Sequence, residues 1–123
     1  MSKILIADDE KTIRDIFLKF LTLQGYEVSL AESGSDAIAK LNADSFDMLI
    51  MDLMMPGIKG AEILREMRKN KKPVAVIILT GSVDAENSKD LNELGYDAGD
   101  ILYKPVDLFE LLEAIKRKLP PKA

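Results

Sequence analysis

A chain of 123 residues has room for one folded domain, and its 47% hydrophobic and 31% charged residues have the balance of a globular protein rather than a disordered segment. Cysteine and histidine are both absent, which excludes disulfide frameworks, thiol catalysis, imidazole bases and phosphohistidine on this chain, and leaves carboxylates, hydroxyls and lysines to carry any chemistry. A net charge of −4 has the wrong sign for a domain built around direct nucleic-acid contact, no apolar run approaches the roughly 18 residues of a membrane span, and Met1-Ser2-Lys3 leads into a strand-like segment rather than a signal peptide, so a cytoplasmic location is expected.

Lys3-Ile4-Leu5-Ile6-Ala7 is a mostly apolar run closed by Asp8 and Asp9, after which Ile13, Ile16, Phe17, Phe20 and Leu21 recur at helical spacing as far as Gly25. Residues 26–31 alternate like a half-buried strand, and Ser35 or Asp36 is placed to cap a helix carrying Ala37, Ile38 and Leu41 on one face. Met48-Leu49-Ile50-Met51 is a fully apolar run ended by Asp52. A turn with Pro56 and Gly57 follows, then a helix presenting Ala61, Ile63, Leu64 and Met67. The run at 74–79 ends at Thr80-Gly81 and precedes a weaker helix over about 84–94. Asp100-Ile101-Leu102-Tyr103 predicts a short last strand, and Lys104-Pro105 leads into a helix with Leu108, Leu111, Leu112, Ile115 and Leu119 toward the core. Met48 and Met51 are read as core filling. Lys69, Lys71 and Lys72, like Lys116, Arg117 and Lys118, are read as solvated helix C-termini complementing the dipole.

Five strands alternating with five helices predict an α/β domain: a doubly wound parallel sheet with helices on both faces, because each crossover is right-handed and packs back on the sheet. Strands one, three and four read as buried on both faces and strands two and five as edges, which fits the order 2-1-3-4-5. A ligand is then expected outside the carboxyl ends of strands one and three, where the winding reverses. Asp8, Asp9, Asp52, Thr80 and Lys104 all follow strands at that end. Each also has a plain structural reading, as a helix cap, a turn former or a solvated lysine. Together, three carboxylates repel: a pair about 4 Å apart costs roughly 4 kcal/mol at an effective dielectric near 20, enough to protonate one unless a cation intervenes. An all-oxygen ligand set favours Mg²⁺, with Mn²⁺ as the alternative. Such an ion pairs naturally with a phosphoryl group, to which Lys104 offers charge and Thr80 a hydroxyl. Asp52, ending the central strand, is the best placed nucleophile for an acyl phosphate.

Asp8-Asp9, Met51-Asp52-Leu53-Met54-Met55-Pro56-Gly57, Leu79-Thr80-Gly81 and Tyr103-Lys104-Pro105 occur in this order over essentially the whole chain, which thereby resembles the response-regulator receiver domain of two-component signalling. The resemblance implies a flavodoxin-like fold over 1–119, with 120–123 as a tail or the start of a linker. It implies Asp52 as phosphoacceptor, Asp9 as a direct metal ligand, Asp8 acting mainly through water, and the backbone carbonyl of Met54 as a further ligand. Thr80 and Lys104 would hold the phosphoryl oxygens, and Lys104-Pro105 would be cis. The implied partners are a sensor histidine kinase or histidine phosphotransfer protein as donor, and a target docking on the fourth helix, fifth strand and fifth helix. The implied role is a switch rather than a turnover enzyme.

Two departures from the family pattern stand out. Ile101 occupies the usual switch-aromatic position three residues before Lys104, while Tyr103 lies on the same side of the strand, as the switch aromatic or as packing against helix four. The connection from Gly95 to Lys104 also looks about two residues longer than the common form, with Tyr96-Asp97-Ala98-Gly99 as the place of the extension. Gly81 is either a turn residue or an opening that leaves an acyl phosphate accessible. Two other functions compete. A Mg²⁺-dependent phosphohydrolase usually has a second aspartate two residues after the nucleophile, where this chain has Met54. A receiver-like scaffold that is never phosphorylated is disfavoured because every site residue is present.

Overall fold

The computed structural model describes residues 2–69, 73–82 and 84–119. In chain order it contains β1 (Lys3–Ala7), α1 (Lys11–Leu23), β2 (Glu27–Ala31), α2 (Gly34–Ala43), β3 (Met48–Asp52), α3 (Gly60–Arg68), β4 (Ala75–Thr80), α4 (Ala85–Glu93), a 3-10 turn (Ala98–Asp100), β5 (Ile101–Tyr103) and α5 (Leu108–Lys118). All strand pairs are parallel, in the order β2-β1-β3-β4-β5. The doubly wound sheet expected from the alternation is therefore present, with β1 and β3 adjacent at the reversal of winding.

The sheet divides the core in two. Leu5, Ala7, Leu49, Met51, Val76 and Ile78 face one way, where Ala37 and Leu41 of α2, Ile63, Leu64 and Met67 of α3, and Leu91 of α4 cover them. Ile4, Ile6, Met48, Ile50, Ile77 and Leu79 face the other way, under Phe17 and Leu21 of α1 and Leu111, Ala114 and Ile115 of α5. Two-residue alternation along each strand forces this split, so three strands with no polar interior position must be central. Burying a Leu or Ile side chain contributes about 1.5–3 kcal/mol, and these layers supply most of what holds the strand ends in place.

Helix ends are set by local chemistry. Gly25 (φ 93°) and Gly95 (φ 90°) end α1 and α4 in left-handed geometry, and the next amides, Tyr26 and Tyr96, reach back to the carbonyls of Leu21 and Leu91. Asp107 starts α5 by accepting the N–H groups of Phe109 and Glu110. Gly60, at the start of α3, packs so closely on the loop after β3 that a Cβ there would lie 2.9 Å from Leu53 Cδ1.

Several local expectations need correction. Ser33, not Ser35 or Asp36, caps α2, its side chain accepting the Asp36 N–H. Ile16 is 45% exposed, because the stripe formed by Ile13, Phe17, Phe20 and Leu21 already fills the width of sheet that α1 covers. Leu112 is only half-buried. Asp100 belongs to the 3-10 turn rather than to β5. That turn gives the longer connection its own structure: Asp97 accepts the Gly99 N–H, Asp100 accepts the Asp97 N–H, and the other Asp100 oxygen pairs with Lys118 of α5. Of the expected basic helix ends, Lys69 caps α3 and pairs with Glu66, whereas Lys71 and Lys72 lie outside the described residues, as does the 120–123 tail.

Candidate functional site

Parallel strands bring their carboxyl ends to one edge of the sheet, and at that edge the five residues singled out in the sequence stand together. Asp8 directly follows β1 and is fully buried; its N–H donates to the Ala31 carbonyl (3.1 Å), fixing it against β2. Its Oδ1 accepts the Glu10 N–H (2.8 Å), and its own carbonyl accepts from the Arg14 guanidinium (2.9 Å). Asp52 ends β3, is 5% exposed, and accepts the Met54 N–H on Oδ1 (3.1 Å). The turn foreseen for Asp52 is thus real, whereas neither Asp8 nor Asp9 caps α1: the N-cap is Glu10, whose N–H Asp8 binds, and Asp8 and Asp52 each use only one carboxylate oxygen in these local bonds.

The other oxygens face Lys104. Its Nζ donates to Asp52 Oδ2 (3.0 Å) and Asp8 Oδ2 (3.3 Å), and lies 3.6 Å from Glu10 Oε1. The Lys104 N–H donates to the Thr80 carbonyl (2.8 Å), holding the lysine against the end of β4. The Lys104-Pro105 bond is cis, as expected. Thr80 is fully buried; its hydroxyl donates to the Ser82 carbonyl (2.6 Å) and accepts the Ser82 N–H (3.3 Å), a local turn that occupies it.

Carboxylate oxygens of Asp8, Asp9 and Asp52 all lie within 4.8 Å of one another, with Asp9 exposed at the mouth. Burial pushes the Asp8 carboxyl above its ordinary range, against the Glu10 N–H and the Lys104 charge, which pull it down; the Asp52 charge adds to the rise. Burial alone would lower the Lys104 ammonium. The Asp52 hydrogen bond and the charges of Asp8 and Asp52 outweigh burial and raise it above its ordinary value, so the lysine is charged in the resting site. One ammonium faces three clustered carboxylates, one of them wholly buried, and a small divalent cation with oxygen preference fits that donor set.

Tyr103 is the register partner of Thr80 and is 57% exposed, while Ile101 is half-buried against the core beneath α4. Together with Ser88, Leu91 and Tyr96 they line a groove between α4 and β5. A Cβ at Gly81 would meet nothing within 4 Å, so packing does not demand glycine there. Sequence reasoning missed Glu10 and Ser82. Nothing local marks Ser82, and the signal for Glu10 was a third acid directly after Asp8 and Asp9.

A family model described as the response regulator receiver domain matches residues 4–116. Among curated proteins, the chain is 36% identical to the transcriptional regulatory protein ResD of Bacillus subtilis, covering 96% of this chain and 48% of that one. It is 34% identical to the response regulator MprA of Mycobacterium tuberculosis, covering 98% and 53% respectively. The chain thus spans about half the length of these relatives. Among solved structures, a CheY-like receiver domain protein from Methanospirillum hungatei superimposes with a TM-score of 0.88 at 34% identity, covering 96% of this chain and 93% of the other. The chemotaxis response regulator CheY4 of Vibrio cholerae gives 0.83 at 32%, with 97% and 99% covered.

Proposed function

Because this chain belongs to the response regulator receiver domain family, whose members are signalling switches with a flavodoxin-like fold and an acidic Mg²⁺ pocket, we propose that residues 1–119 form a receiver whose phosphoacceptor is Asp52. The observation that carries this reading is the pairing of Asp52 Oδ2 with Lys104 Nζ at 3.0 Å, at a crevice that also gathers Asp8, Asp9 and Thr80.

The chain has no histidine, so the phosphoryl group comes from another molecule: phosphohistidine on a sensor kinase or phosphotransfer protein, or a small acyl phosphate. A carboxylate oxygen of Asp52 attacks the phosphorus. The P–N bond to the donor imidazole breaks with its electron pair left on nitrogen, and an acyl phosphate forms. Asp9 directly, Asp8 mainly through water, Asp52 and the Met54 carbonyl would hold Mg²⁺, or Mn²⁺ in its place. That ion supplies neutralising charge to the phosphoryl oxygens. Lys104 moves its ammonium onto a phosphoryl oxygen, and Thr80 gives up its Ser82 turn to donate to another. Both residues are tied to the ends of β4 and β5, so the change reaches the surface of α4, β5 and α5, where a protein target would dock. The domain's net charge of −4 supports no direct nucleic-acid contact of its own, and nothing in the reading calls for a membrane. Cytoplasmic operation fits the donor chemistry.

Incubation with acetyl phosphate and Mg²⁺ should add one phosphoryl group to the wild-type chain, read by intact mass, and none to Asp52→Asn. Equal labelling of both proteins would remove Asp52 from the role. Many turnovers on a phosphate ester would instead favour a phosphohydrolase.

A further inference from the structure

Lys104 has three N–H groups and three carboxylate neighbours: Asp52 at 3.0 Å, Asp8 at 3.3 Å and Glu10 at 3.6 Å. The first two have other work, since Asp52 would carry the phosphoryl group and Asp8 would turn to a cation. Glu10 has none. It is the N-cap of α1, yet its side chain makes no hydrogen bond to the helix amides and instead reaches the lysine on the far side of the crevice. Its backbone is fixed independently: the N–H is bound by Asp8 and the carbonyl accepts the Arg14 N–H. The side chain can therefore be altered without releasing Asp8.

Resting on the receiver reading, we propose that Glu10 is a positioning residue that competes with the phosphoryl group for the Lys104 ammonium, and so sets how readily the site switches. At 3.6 Å the Glu10 carboxylate attracts the ammonium as an ion pair rather than through a hydrogen bond, and activation must draw the ammonium away from that charge onto a phosphoryl oxygen. The Glu10 side chain is 61% exposed, so the pair is screened by water and its effect is graded rather than absolute.

Reach and charge can be separated. Glu10→Gln removes the charge; Glu10→Asp keeps the charge but, one methylene shorter, withdraws it from Lys104. Binding of beryllofluoride, a phosphoryl mimic, is titrated in Mg²⁺ by fluorine NMR, with thermal melts as a folding check. Competition for Lys104 predicts that both variants bind about two- to fivefold more tightly than wild type, the range expected of an exposed pair. The Lys104 ammonium resonance of the resting protein should shift in both. Unchanged affinity in both variants would overturn the proposal. So would tightening in Glu10→Gln alone, which would mean simple repulsion of an anion at the mouth. A wild-type chain that binds no beryllofluoride overturns the receiver reading and this one with it; binding by wild type with both variants unchanged overturns this one only.

Discussion

Replacing Asp8 by asparagine should make the metal-free protein more stable, although it removes a salt bridge. Two carboxylates no more than 4.8 Å apart repel by at least about 3.5 kcal/mol at an effective dielectric of 20, and Asp8 faces two such neighbours, of which exposed Asp9 counts for less. The attraction lost with Lys104 at 3.3 Å is about 5 kcal/mol on the same basis, but Lys104 keeps Asp52 and Glu10. To the relieved repulsion is added the cost of burying a charge, which asparagine does not bear. The balance favours asparagine by about 1–2 kcal/mol, or roughly 3–8 °C in Tm for a domain of this size. The pH dependence has a definite sign. A carboxyl whose pKa is raised on folding holds its proton more tightly in the native state, so its ionisation penalty is absent below the unfolded value, grows as pH rises through the folded one, and is complete above it. Thermal melts in chelator should therefore show an Asp8→Asn advantage that is largest at the alkaline end of the range and shrinks on acidification. Adding Mg²⁺ should stabilise wild type more than the variant. Lower stability of Asp8→Asn in chelator at pH 7, or an advantage that does not change with pH, would refute the electrostatic account.

Asp9→Ala should lower Mg²⁺ affinity by at least about tenfold, since changes even to outer-shell partners cost 10- to 100-fold; calorimetric titration measures it, and unchanged affinity would displace Asp9 from the metal site. If Tyr103 is the aromatic that responds to Thr80, Tyr103→Leu should reduce the activation-dependent difference in amide exchange over residues 84–119. An intact difference would leave coupling to Thr80 and Lys104 alone. Asp107→Ala, which strips two amides of their acceptor at the start of α5, should cost about 1 kcal/mol, read as a lower urea midpoint.

The strand order and the crevice were legible for the same reason: a parallel sheet leaves a period-free apolar run wherever a strand is covered on both faces, and the residue ending each run is necessarily at the rim. Ile4-Leu5-Ile6 and Met48-Leu49-Ile50-Met51 could only be central, and Asp8 and Asp52 follow from them. Local competitions were not legible. Ser33 and Ser35 are both good caps, and the choice depends on where β2 releases the chain. Ile16 matches the helical period of its neighbours, but how wide a stripe the sheet covers is a tertiary fact. The segment Asp97-Ala98-Gly99-Asp100 has the composition of a loop, and only its paired aspartates and the partner on α5 make it a turn of fixed shape. Glu10 was overlooked because it begins α1 rather than ending a strand, although a third acid after Asp8 and Asp9 marked it, and its partner Lys104 lies at the opposite end of the chain.

That last distance has a further meaning. The bond from Lys104 to Asp8 joins residues 96 positions apart, and the one to Asp52 joins residues 52 apart, so the counter-ion of both carboxylates arrives only when β5 has docked on β4. A nascent chain that has emerged only as far as Thr80 holds every carboxylate of the site and no lysine to balance them. The charge balance of the crevice is therefore complete only in molecules in which β5 is paired with β4.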